Sequence, residues 1–71
     1  MPTLRAREVL GGLYNLGFEF DHQRGSHIIL KHPDGRWTTV PFHGSRDLER
    51  RLVRKILKDA QVSVADFLSA L

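Results

Sequence analysis

Hydrophobic and polar positions follow two different periods along the chain, and the first of them is helical. An apolar stripe near the start predicts a helix that Thr3 caps and that runs to about Leu16. Gly17 then provides a natural stop, because glycine readily adopts the left-handed conformation that ends many helices. The stripe consists of Val9, Leu10, Leu13 and Leu16.

The middle of the chain changes to the pattern of strands. Residues 18–22 alternate apolar and polar side chains, residues 26–31 are rich in Ile and Leu, and residues 36–40 form a third such run that Pro41 ends. Pro33, Asp34 and Gly35 give a strong turn signal between the last two. Three strands joined by short turns predict an antiparallel meander.

The helical period then returns. We expect a second helix from a Ser45 cap to about Ala60, with one apolar half and one basic half, and Glu49 near its start suits the helix dipole. Ser63 and Asp66 resemble a capping box before a brief last helix. The predicted fold is α+β, with the order αβββα, a three-stranded antiparallel sheet, helices on one face and a short C-terminal helix. Double-stranded-RNA-binding domains have this architecture.

Composition restricts the class of protein. The chain has 71 residues, and 41% of them are hydrophobic. We expect residues 1–71 to form a single domain. The chain has no cysteine, which excludes disulfides, thiolate zinc sites and cysteine nucleophiles. No apolar run is long enough for a membrane span and the start lacks a signal-peptide core. We therefore expect a cytoplasmic protein that does not bind a membrane.

Charge adds a preference for anionic partners. Eleven Lys and Arg face eight Asp and Glu, a formal net charge of +3. All the cations except Arg5 and Arg7 lie between Arg24 and Lys58, and a local basic surface attracts phosphates more than the total charge does. Solvation alone also explains such a basic helix face, as does an acidic protein partner.

Six short motifs follow one another along nearly the whole chain. They are Leu16-Gly17-Phe18, Gly25-Ser26-His27, His32-Pro33-Asp34-Gly35, Val40-Pro41-Phe42-His43, Ile56-Leu57-Lys58-Asp59-Ala60 and Phe67-Leu68. Their order and spacing are similar to those of the HicA family of messenger-RNA interferase toxins. One departure is Arg51-Leu52, where the family commonly has Gly-Thr.

The resemblance implies a function for nearly the whole chain. It implies a toxin of the dsRBD-like fold that cleaves mRNA and is neutralised by a HicB-type antitoxin covering its active site. The essential histidine of the family is the one in Gly-Ser-His, which is His27 here. Two alternatives stay open: a non-catalytic RNA-binding module of the same fold, and a protein-interaction domain with an acidic partner.

His27 suits this chemistry because histidine exchanges protons near neutral pH. RNA is cut without a metal or other cofactor when a base takes the 2′-hydroxyl proton and an acid protonates the leaving 5′-oxygen, and each such role contributes about 10²–10⁴-fold. The candidate RNA-binding residues surround His27 in sequence. They are Arg24, Lys31 and Arg36 for positive charge, Gly25 for the tight turn, and Ser26 for orienting the loop or donating to a phosphate oxygen.

The register of the first hairpin decides which face of the sheet His27 occupies. If the turn at Arg24-Gly25 holds two or four residues, His27 pairs with His22 and shares a face with Phe18, Phe20 and Ile29. A three-residue loop instead makes His27 face Asp21 or Gln23. The sequence does not decide between them.

Other chemistries fit less well. His22, His32 and His43 match no strong zinc spacing with His27, so a metal site is not expected. Nothing supplies a nucleophile elbow or a phosphate-binding glycine loop. Trp37 is a base-stacking platform or part of the core, and its half-buried strand favours the core.

Overall fold

The computed structural model describes residues 3–43 and 46–71, which form three helices, one three-stranded sheet and one two-stranded ribbon. Among these residues no helix is both long and apolar enough to cross a bilayer. In chain order the elements are β1 (Leu4–Arg5), α1 (Ala6–Asn15), β2 (Glu19–Arg24), β3 (His27–Lys31), β4 (Trp37–Pro41), β5 (Asp47–Leu48), α2 (Arg50–Ala60) and α3 (Val64–Ser69).

The main sheet is the predicted antiparallel meander, in the order β2-β3-β4. Helices α1 and α2 pack over β4 on one face, and the other face is open. Alternate residues of β3 and β4 enter the core, as a half-buried sheet requires. The α+β, dsRBD-like fold predicted from the sequence is thereby confirmed.

One polar side chain joins the sheet to α2. Thr38 is fully buried, and its hydroxyl donates a hydrogen bond of 2.9 Å to the carbonyl oxygen of Ile56. A buried hydroxyl without such a partner costs free energy, so this bond fixes where β4 meets the helix. Around it lies the apolar core, formed by Leu4, Ala6, Val9, Leu10, Leu13, Phe18, Ile28, Leu30, Val40, Leu48, Val53, Ile56, Leu57, Ala60 and Phe67.

The two-stranded ribbon corrects the predicted helix starts. Leu4 and Leu48 pair across β1 and β5, and both side chains are buried. Extended pairing therefore occupies the positions where helices were expected to begin. Helix α1 starts only at Ala6, and α2 only at Arg50 with Glu49 as its N-cap residue. The predicted Ser45 cap lies outside the described residues.

The other helix boundaries agree with the sequence. Gly17 has φ of +96° directly after the C-cap of α1, which confirms it as the stop. The Ser63 hydroxyl accepts a 3.0 Å hydrogen bond from the backbone N–H of Asp66, which confirms the cap of α3.

Two adjacent glycines in α1 have different roles. A Cβ atom added to Gly12 would lie 2.6 Å from Cε1 of Phe67, whereas one added to Gly11 would meet nothing within 4 Å. Phe67 is fully buried and belongs to α3. Close packing of α1 against α3 therefore explains the glycine at position 12.

We expect opposite effects from alanine at these two positions. Gly11→Ala should stabilise the protein by about 0.5–1 kcal/mol, since it gains helix propensity without a clash. Gly12→Ala should destabilise it, because overpacking of about 1–3 kcal/mol exceeds that gain. Urea denaturation of both variants measures the difference. A Gly12→Ala variant more stable than the wild type would contradict the packing described.

Candidate nucleic-acid interface

A two-residue loop joins β2 to β3. It consists of Gly25 and Ser26, and Gly25 has φ of +59° while Ser26 does not enter the positive region. Glycine at the first central position is typical of a type II′ turn, whose twist matches that of the flanking strands. The turn therefore lies one residue later than Arg24-Gly25, and Arg24 becomes the last residue of β2.

This shift corrects both registers considered for the hairpin. His27 pairs with Arg24, and His22 pairs with Ile29. The direct His22–His27 pair is wrong, and so is the pairing of His27 with Asp21 or Gln23. The two histidines still share a face, because His27 and Ile29 are two residues apart on one strand. They are diagonal neighbours instead of opposite ones.

A β-bulge in β2 explains the rest of the difference. The register shifts between Phe20 and His22, so Asp21 is the extra residue and Phe20 pairs with Leu30. Phe20 therefore lies on the helix side of the sheet and not with His27. Every residue of β2 is exposed, Phe20 included, because β2 is the edge strand far from β4, over which the helices pack.

The open face of the sheet collects polar and basic side chains from all three strands. Ile28 and Leu30 point into the core, so their neighbours on β3 point outward, and cross-strand pairing assigns the rest. We call this surface the open face. Its residues are Glu19, His22 and Arg24 from β2, His27, Ile29 and Lys31 from β3, and Trp37, Thr39 and Pro41 from β4.

The bulge also creates a charged cluster at the open face. Oδ2 of the Asp21 carboxylate lies 2.6 Å from Nδ1 of His22 and 3.5 Å from Nζ of Lys31. The hydrogen bond with His22, with a smaller contribution from Lys31, lowers the pKa of Asp21 below its ordinary value. Asp21 is therefore a carboxylate at neutral pH and holds the His22 ring by one nitrogen.

Trp37 is more exposed than its strand suggested. It is 58% exposed, at the end of β4 opposite Lys31, so the expectation that it belongs to the core is wrong. An exposed indole beside a lysine ammonium is suited to stacking on a nucleic-acid base while the cation contacts a phosphate. The strand pattern could not reveal this, because alternation does not say which face the helices cover.

Arg24, Gly25 and Ser26 surround His27 at one corner of the open face. Arg24 is exposed, and within the described residues its guanidinium makes no hydrogen bond or ion pair. Gly25 is exposed, and its carbonyl accepts a 3.0 Å hydrogen bond from the Gln23 side chain. The Ser26 carbonyl accepts from the N–H of Phe42, which ties the loop to the end of β4.

Arg36 does not lie beside His27, and its side chain stabilises the fold. Its guanidinium donates to both Asp34 oxygens, at 3.1 and 2.8 Å, and to the carbonyl oxygen of Ala60 at 3.2 Å. It also lies over the Phe18 ring, 5.2 Å from the centroid. Burial raises the pKa of Asp34, but hydrogen bonds from the Arg36 backbone and guanidinium outweigh it and hold that pKa below its ordinary value. Arg36 thus clamps the β3–β4 turn to the end of α2.

Arg36 and Arg24 should therefore separate stability from RNA binding. Arg36→Gln removes charge-assisted hydrogen bonds at a three-quarters buried side chain and should cost about 1–3 kcal/mol of unfolding free energy. Arg24→Gln should stay within about 0.5 kcal/mol but weaken RNA binding and reduce its salt dependence by one phosphate contact. Thermal denaturation and RNA titration at several salt concentrations measure both. The reverse pattern would place the interface at Arg36.

The remaining histidines do not gather around His27. His32 packs edge-on against Phe18, with ring centroids 5.1 Å apart, and its Nδ1 lies 3.0 Å from an Asp34 oxygen. His43 lies beyond β4 and lines a cleft at the start of α2. In the part of the chain that the structure describes, no three His, Asp or Glu side chains are grouped as metal ligands.

Comparison with known families gives the class of protein. A family model described as "HicA toxin of bacterial toxin-antitoxin" matches residues 6–62, which include all of the open face and the whole of α2. The chain belongs to the HicA toxin family. A comparison with curated proteins found no match. This match confirms the family resemblance noted in the sequence. Members of the HicA family are toxins of bacterial toxin–antitoxin systems and are generally mRNA-cleaving.

Proposed function

We propose that this HicA-family chain is a metal-independent endoribonuclease that cleaves mRNA on the open face, with His27 as a general acid or base. One observation supports this most: His27 is exposed on the face of the sheet that no helix covers, with Arg24 as its cross-strand neighbour and with Lys31 and Trp37 farther along the same face. Because messenger RNA is the proposed substrate, we place the protein in the cytoplasm.

The chemistry needs two proton transfers and positive charge. A base removes the 2′-hydroxyl proton, the 2′-oxygen attacks phosphorus, and the bond to the 5′-oxygen breaks as that oxygen receives a proton. Negative charge grows on the phosphoryl oxygens in the transition state, where Arg24 and Lys31 stabilise it. Arg24 is the cross-strand neighbour of His27, and Lys31 follows two residues after Ile29 on the same face.

The loop before His27 positions the RNA backbone. Gly25 brings the chain around the turn without a side chain, so a phosphate can approach the backbone closely. The Ser26 hydroxyl donates a hydrogen bond to a phosphate oxygen. Trp37 stacks on a base at the other end of the open face. We leave Arg36 out of these contacts, since its guanidinium binds Asp34 and the end of α2.

We further propose that a HicB-type antitoxin neutralises this toxin by covering the open face. An antitoxin with acidic side chains would pair with the same cations that attract RNA, and would exclude RNA from His27. The cleft at the start of α2 adjoins this surface at Pro41, the cross-strand neighbour of His27. Arg51 and Leu52, which replace the Gly-Thr common in the family, line that cleft and would select among antitoxins.

RNA cleavage by the purified protein tests the proposed function. We expect it to cut single-stranded RNA in the presence of excess EDTA, and to stop cutting when a HicB-type antitoxin is added. Salt-sensitive RNA binding without cleavage would instead indicate the non-catalytic module. A protein that neither binds nor cleaves RNA at low salt would indicate a protein-interaction domain.

A further inference from the structure

The open face contains a second histidine that is already held by a carboxylate. His22 Nδ1 lies 2.6 Å from Asp21 Oδ2, and the His22 side chain is 48% exposed. Within the described residues its other ring nitrogen, Nε2, has no hydrogen-bond partner. A ring fixed at Nδ1 and free at Nε2 is the arrangement in which a histidine transfers protons at a defined position.

The β-bulge brings this pair to the open face. Without the extra residue, Asp21 and His22 would point to opposite sides of the strand, because side chains alternate. The bulge lets the Asp21 carboxylate reach both its neighbour His22 and Lys31 on the next strand. Bulges are over-represented at sheet edges and beside active sites, where they re-aim a side chain.

His22 and His27 are spaced to act on one phosphodiester. Diagonal neighbours across two antiparallel strands lie about 7–8 Å apart, and each catalytic nitrogen must come within about 2.6–3.2 Å of its oxygen. One phosphate group therefore fits between the two rings, above Ile29. Arg24 on β2 and Lys31 on β3 lie toward opposite ends of the open face, so they supply positive charge on either side of this phosphate.

We infer that His22 is a second catalytic residue, the general acid that protonates the leaving 5′-oxygen, with Asp21 as its positioning residue and His27 as the base. The Asp21 carboxylate compensates the charge of an imidazolium at His22, the form that donates. His27 has Arg24 and Pro41 as cross-strand neighbours, and within the described residues no carboxylate forms an ion pair or hydrogen bond with its ring. This inference rests on the proposed function, since it divides the two proton transfers of that reaction.

The step balances with no further reactant. His27 takes the proton from the 2′-hydroxyl as the bond from the 2′-oxygen to phosphorus forms. The bond from phosphorus to the 5′-oxygen breaks, and His22 gives its proton to that oxygen. The products are a 2′,3′-cyclic phosphate and a 5′-hydroxyl, and the two histidines have exchanged their protonation states.

A substrate with sulfur in place of the bridging 5′-oxygen tests the role of His22. A thiolate leaves without being protonated, so this substrate does not need a general acid. We first map the cut made by the wild type, then place the sulfur there and compare His22→Gln, Asp21→Asn, His27→Gln and the exposed control His43→Gln. Circular dichroism and thermal denaturation establish that each variant is folded.

We expect His22→Gln to cut ordinary RNA about 10²–10⁴-fold more slowly through kcat, with KM little changed, and to cut the sulfur substrate nearly as fast as the wild type. Asp21→Asn should show a smaller loss with the same rescue. His27→Gln should stay slow on both substrates.

Two results would overturn the inference while the proposed function stands. One is wild-type activity of His22→Gln on ordinary RNA, and the other is a His22→Gln variant that is equally slow on both substrates. If the wild type itself cuts neither substrate, the proposed function fails first and the assignment of His22 fails with it.

Discussion

Replacing His27 by glutamine is expected to slow RNA cleavage by about 10²–10⁴-fold without unfolding the protein. Glutamine keeps a hydrogen-bonding side chain of similar length, but it neither takes up nor releases a proton near neutral pH. His27 is exposed and makes no hydrogen bond through its ring within the described residues, so its replacement should leave stability unchanged within about 0.5 kcal/mol. Initial rates on a labelled RNA, with thermal denaturation alongside, measure both quantities.

The matched control for this variant is His43→Gln. His43 is also exposed, but it lines the cleft at the start of α2 and lies beyond the last residue of β4. We expect it to cleave RNA at the rate of the wild type. A folded His27→Gln that keeps that rate as well would remove His27 from the reaction.

Replacing Phe67 by alanine is expected to have the largest effect on stability. Phe67 is fully buried and packs against the bare backbone of Gly12, so it attaches α3 to α1. Removing a buried phenylalanine ring costs about 3–5 kcal/mol, and a domain of this size has a total stability of roughly 4–11 kcal/mol. Urea denaturation followed by circular dichroism should therefore show the variant partly unfolded before much denaturant is added.

Leu68→Ala provides the comparison for that measurement. Leu68 is the next residue of α3, but 38% of it is exposed. Since its truncation removes far fewer buried contacts, we expect the loss to be below about 1 kcal/mol. Equal losses for the two variants would show that α3 is not anchored through Phe67.

The sequence predicted those features of the helices and strands that depend on residues close together in the chain. The Ser63 cap depends on residues three positions apart, and Gly17 ends α1 through its own backbone freedom, so both were found. The ribbon of β1 and β5 was missed, because it joins segments more than forty residues apart in the sequence. Leu48 fits an apolar helix stripe and an extended buried strand equally well, and only its pairing with Leu4 decides between them.

In the candidate site, too, the local features were predicted and the features that depend on strand pairing were missed. The family motif pointed to His27 and the turn before it, but the register depended on one residue of turn placement and on the bulge at Asp21. A bulge has no clear sequence signal, so the link between Asp21 and His22 appeared only in three dimensions. Arg36 was predicted beside His27 because it is close in sequence, yet the helix-facing side of the β3–β4 turn takes it to Phe18 and Asp34.

Cleavage that depends on the 2′-hydroxyl tests the central claim most directly. The initial rate is measured in EDTA on one labelled RNA and on the same strand with a single 2′-deoxynucleotide immediately before the cut phosphate. We predict that the wild type cuts the RNA to a 2′,3′-cyclic phosphate and a 5′-hydroxyl, and leaves the deoxy-substituted strand intact. Equal cutting of the two strands, or cleavage that EDTA abolishes, would contradict acid–base catalysis by histidine on the open face.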